Sequence, residues 1–119
     1  MTTDTNAGSL SDEEAEAAFL LELRGVLDQL QPRELIYGRL VSEDGCCALG
    51  AVLISRGLAT AGQKRAWTDK KTTIPRALDI SFELANRVAS VNDSCPDDDP
   101  AERWRYMRKW VDETLTRLV

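Results

Sequence analysis

Apolar positions recur along this chain at helical spacing, broken by short polar segments that carry recognisable stop and start signals. Ala15, Phe19, Leu23, Val26 and Leu30 fall on one stripe, which Leu20 and Leu27 widen. Ser11 and Glu14 form a capping box in front of it, and Asp12 and Glu13 place negative charge at the positive end of the helix dipole. Pro32 stops the run near Gln31, so the pattern predicts a helix over 12–30. Leu21 alone sits on its polar side.

The stretch "EDGCCALGAVLISRG", residues 43–57, is almost wholly apolar between two glycines. Gly45 suits the entry to a helix and Gly57 its C-terminal cap, which predicts a buried helix over 46–56. The small residues Ala48, Gly50 and Ala51 would let another helix approach closely, offsetting the roughly 1 kcal/mol that an interior glycine costs. Further on, Leu84, Ala85, Val88 and Val91 mark a helix over 80–91, capped by Asp79 or Ser81. Asp99, Pro100 and Glu102 open a last helix over 100–118, on which Trp104, Met107, Val111, Leu115 and Leu118 form a stripe. Residues 33–42 suit a short helix or an extended segment; a short helix over 33–40 followed by a loop through Ser42–Gly45 is the favoured reading, with a turn near 74–78.

The fold class expected is therefore all-α: a compact bundle of four main helices plus one short helix, around a buried central helix. Residues 1–10 read as a disordered N-terminal tail and 11–119 as a single helical domain. No run of alternating apolar and polar residues demands a sheet.

Composition narrows the function classes. The chain has 119 residues, three cysteines and no histidine, with a net charge of −5. Residues 1–16 hold five acids and no base, which leaves fifteen acidic and fifteen basic residues beyond them. Charge in one acidic segment does not suit a protein that imitates nucleic acid over its whole body. No apolar run approaches the ~20 residues of a membrane span, and the polar start is not a signal peptide. With no even disulfide framework the expected compartment is the cytoplasm.

The adjacent cysteines raise thiol chemistry, because a helix N-terminus lowers a thiol pKa. Without a histidine there is no ready proton acceptor, and Cys46, Cys47 and Cys95 lack zinc-site spacing. The adjacent thiols of Cys46 and Cys47 are expected as core filler. No catalytic set, metal site or cofactor is expected.

Two surfaces remain. Residues 58–76 carry Lys64, Arg65, Lys70, Lys71 and Arg76 around Trp67, where a ring among positive charges could stack a base and grip phosphate. On the last helix Arg103, Tyr106 and Trp110 share a face beside the acidic hinge holding Asp97 and Asp98, the combination that protein interfaces favour. The hinge acids also read as helix caps, and Asp97 and Asp98 lack calcium-loop spacing.

The segments "CALGAV" at 47–52, "RVASVND" at 87–93 and "ERWRYMRKWVDETL" at 102–115 resemble small uncharacterised bacterial and phage-encoded proteins, the DUF6197-like families. That resemblance implies a helical fold and an origin in a phage or mobile element, and no established activity. The expected function is a non-enzymatic protein-binding module that modulates a host protein complex such as a defence system, using Arg103, Tyr106, Trp110, Asp97 and Asp98. The alternatives are an accessory nucleic-acid binder using Lys64, Arg65, Trp67, Lys70 and Lys71, which is not favoured, and an enzyme of unknown class. A homodimer would cover apolar helix faces left open by so small a domain.

Overall fold

Helix α1, Asp12–Gln29, buries Phe19, Leu20, Leu23 and Leu27, with Val26 and Leu30 packed against them. Compared with the expected stripe, the buried face is turned away from Ala15, which is exposed, and towards Leu20 and Leu27. A computed structural model gives this arrangement and describes residues 12–37, 39–60 and 74–118. The expected tail lies outside the described residues. The protein is mostly helical, with five helices and one small two-stranded ladder among the described residues.

Residues 33–40 depart from expectation: no helix forms there. Leu35 N–H donates to the Pro100 carbonyl at 3.1 Å and Ile36 N–H to the Cys46 carbonyl at 2.9 Å, so the segment is held by distant elements, not by its own turns. It leads into β1, Val41–Ser42, paired antiparallel with β2, Gly45–Cys46, in the register Val41↔Cys46 and Ser42↔Gly45. Gly45 closes this hairpin at φ +141°, which side chains rarely adopt.

Helix α2, Ala48–Ser55, begins later than the glycine pattern suggested, because Cys46 belongs to the ladder and Cys47 is the N-cap. Its residues Ala48–Leu53 are all buried. A close approach is present at Gly50, but it is made by the extended backbone and not by a second helix: a Cβ there would lie 1.7 Å from the Leu40 carbonyl oxygen. At the other end Gly57, at φ +76°, donates to the Ile54 carbonyl and Leu58 N–H to Leu53, a Schellman stop.

Helix α3, Ile74–Leu78, occupies the place where a turn was expected. It ends on Asp79 in the left-handed region (φ 57°), with Ile80 N–H donating to the Pro75 carbonyl. Aspartate tolerates that geometry through its short polar side chain, so Asp79 stops one helix and Ser81 starts the next. Ser81 Oγ accepts from Leu84 N–H at 3.0 Å and opens α4, Phe82–Asp93. Helix α5, Pro100–Leu118, starts with Asp99 Oδ1 accepting from Ala101 N–H at 3.2 Å.

Helix α1 packs along α5 and α2; α4 packs against α2 and α5. Ion pairs tie these elements at the surface. Arg56 holds Glu22 through two bonds of 2.8 and 2.6 Å and donates to the Leu78 carbonyl. Arg108 grips Asp28 at 2.9 Å and Asp112 at 2.5 Å. Among the described residues no helix is long and apolar enough to cross a membrane.

Candidate functional site

Where α4 ends and α5 begins, two polar residues lie on otherwise apolar stripes. Asn92 follows Ala85, Val88 and Ala89 at helical spacing and is 1% exposed. Its Oδ1 accepts from Ala48 N–H at 3.1 Å, which caps α2 from 44 residues away, since Cys47 supplies no side-chain cap. Its Nδ2 donates to the Ile36 carbonyl at 2.9 Å and to Asp93 Oδ1 at 3.0 Å. One asparagine thus joins the start of α2, the extended segment and the end of α4.

Arg103 precedes Met107 and Val111 on the buried face of α5 and is 4% exposed. Its Nη1 donates to the Asn92 carbonyl at 3.0 Å, and its guanidinium carbon lies 5.6 Å from the centroid of the Tyr37 ring. Tyr37 itself is 65% exposed. Arg103 is therefore not the surface contact that its place beside Tyr106 and Trp110 suggested. It is the buried prop of a tyrosine that sequence reasoning passed over.

These residues surround an open cleft of about 370 Å³ lined by Leu35, Ile36, Tyr37, Asp93, Cys95, Asp98, Pro100 and Arg103. The Leu35–Pro100 bond fixes one wall and the Asn92 bonds the other. Of the hinge acids, Asp97 Oδ1 accepts from Asp99 N–H, whereas Asp98 is exposed, lines the cleft and has no partner among the described residues.

Of the expected contact residues, Arg103 and Asp98 share the cleft. Tyr106 is exposed (38%) one turn further along α5, and Trp110 is half-buried against the core. Asp97 lies in the exposed turn beside them. Lys64, Arg65, Trp67, Lys70 and Lys71 lie outside the described residues. Sequence reasoning missed Tyr37, Asn92 and Asp93. For Asn92 a signal existed, since a polar residue in register with buried neighbours must be hydrogen-bonded.

The Cys46 thiol has little nucleophilic character. Burial, followed by the neighbouring Cys47, pushes the Cys46 thiol up to about 12, far above the range of an activated cysteine. No group of three metal-ligating side chains occurs among the described residues. No protein family, curated protein or solved structure matches the chain.

Proposed function

We propose that the protein is a small, non-enzymatic protein-binding module that acts in the cytoplasm by occupying the surface of a partner. The partner in this reading is a host protein complex, such as a defence system. The scaffold behind the contact face is read as four main helices with α2 as their buried centre. That rigid body presents the face formed by Tyr37, Tyr106 and the adjoining cleft.

The observation that carries this reading is Tyr37, 65% exposed yet held in place by a buried arginine at the lip of a 370 Å³ cleft. Exposed rings with restricted freedom lose little entropy on binding, which is why tyrosine is frequent at interface centres. The buried Cys46 thiol, pushed up to about 12, and the lack of histidine support contact over catalysis.

A photo-crosslinking residue placed at Tyr37 or Tyr106 is expected to capture the same protein in native cells. The same residue at Phe82, exposed at the opposite end of α4, is expected not to capture it. With the captured protein purified, the Tyr37→Ala, Tyr106→Ala variant should bind about tenfold or more weakly. Capture that fails to distinguish these positions, or unchanged affinity, would defeat the proposal.

A further inference from the structure

The cleft combines two features that ask for different things from one occupant. Arg103 is buried, spends Nη1 on the Asn92 carbonyl and forms no ion pair among the described residues. None of its other guanidinium nitrogens is buried without a partner, so an N–H group that reaches the cleft is free to donate to an oxygen acceptor there. The lip is acidic: Asp93, Asp97, Asp98 and Asp99 stand there against Arg103 alone, and Asp98 has no partner among the described residues. A carboxylate or phosphate approaching Arg103 would meet those carboxylates, whereas a neutral carbonyl would not. Around the lip the charge balance calls for a cation.

Resting on the protein-binding reading above, we infer that the cleft seats a basic peptide segment of the partner. A lysine or arginine side chain lies against Asp98 and the open part of the Tyr37 ring, and a neighbouring backbone carbonyl accepts from Arg103. A peptide supplies both groups within one residue's reach. The volume, about 370 Å³, falls in the range of ligand clefts. Tyr37 can stack a cation while Arg103 steadies it from the protein side.

The test uses the full chain, ¹⁵N-labelled, titrated at low salt with acetyl-Gly-Gly-Arg-Gly-Gly-amide, its glutamate counterpart and inorganic phosphate. The arginine peptide is expected to give saturable shifts at Ile36, Tyr37, Cys95, Asp98 and Arg103. Asp98→Asn and Tyr37→Ala, both at exposed positions, should each weaken that binding about two- to fivefold. The glutamate peptide and phosphate should leave these signals in place. No saturable shift at these residues, shifts insensitive to both variants, or tighter binding of phosphate or the glutamate peptide would overturn the inference. So would shifts that track protein concentration alone, which would make the occupant a second copy. A captured partner that depends on Tyr37 and Tyr106 but is indifferent to Asp98→Asn removes the basic segment and leaves the contact face standing.

Discussion

The same substitution should have opposite effects in two helices of this protein. In a helix interior, alanine in place of glycine gains about 1 kcal/mol from backbone entropy and solvation. At Gly25 in α1 nothing lies within 4 Å of the added Cβ, so Gly25→Ala should stabilise by about 0.5–1 kcal/mol. At Gly50 the same carbon would sit 1.7 Å from the Leu40 oxygen and 2.6 Å from its carbonyl carbon. Neither is the end of a flexible side chain, so β1 and α2 must separate by more than ~1 Å. That separation strains the Cys47 N–H to Leu40 carbonyl bond of 3.0 Å. Overpacking costs about 1–3 kcal/mol and a weakened buried hydrogen bond about 1–3 kcal/mol more. Less the helix gain, Gly50→Ala should lose about 1–5 kcal/mol, set against the ~5–15 kcal/mol that holds a domain together. Urea unfolding followed by circular dichroism and tryptophan fluorescence gives both values when the slope is unchanged. Two changes of the same sign, or a Gly50→Ala protein as stable as the parent, would refute the close approach.

Three further outcomes follow from particular contacts. Asn92→Ala strands the Ala48 N–H and the Ile36 carbonyl and should cost about 2–5 kcal/mol in the same assay. Asn92→Asp keeps the acceptor for Ala48 but turns a buried carboxylate oxygen on the Ile36 carbonyl and Asp93 Oδ1, so it should cost at least as much. Hydrogen bonds from Arg56 and Arg108 hold the Glu22 and Asp28 carboxyls below their usual range. Their contribution is complete above the unfolded pKa values near 4 and is lost as pH falls through the lowered folded values. Screening at these half-exposed sites limits it to about 1 kcal/mol each, so a Glu22→Gln, Asp28→Asn protein should lose less stability between pH 6 and 3 than the parent; parallel curves would disprove the linkage. In the native state at pH 8, iodoacetamide should label Cys95, which is partly exposed, well before Cys46 and Cys47; equal rates would contradict their burial.

What could be read from the residues alone was local in origin. The Asp99–Pro100 start of α5, the Ser81 cap and the Gly57 stop each depend on a few neighbouring residues, and each is present. Residues 33–40 were misread because Leu35, Ile36, Leu40 and Val41 suit a helical turn as well as an extended path. The deciding contacts are remote: Pro100, Cys46 and the missing Cβ of Gly50. That misreading hid Tyr37, which becomes a site residue only once the segment runs straight past the start of α5. Arg103 was assigned to the surface by its chemistry, although its spacing to Met107 and Val111 placed it on the buried face. In both Asn92 and Arg103, register outweighed polarity.

The consequence reaches the site itself. Asn92 and Arg103 shape the cleft and also hold the core, because the carbonyl that receives Arg103 belongs to the residue that caps α2. Tyr37 and Asp98 only face it. Arg103→Ala should therefore cost stability as well as binding, about 2–4 kcal/mol, by freeing the Asn92 carbonyl and leaving a gap beneath the Tyr37 ring. Tyr37→Ala and Asp98→Asn should stay within about 0.5 kcal/mol of the parent, as exposed positions usually do. An Arg103→Ala protein of parental stability would mean that the guanidinium supports nothing, and the cleft would then lose its claim to be a rigid, preformed site.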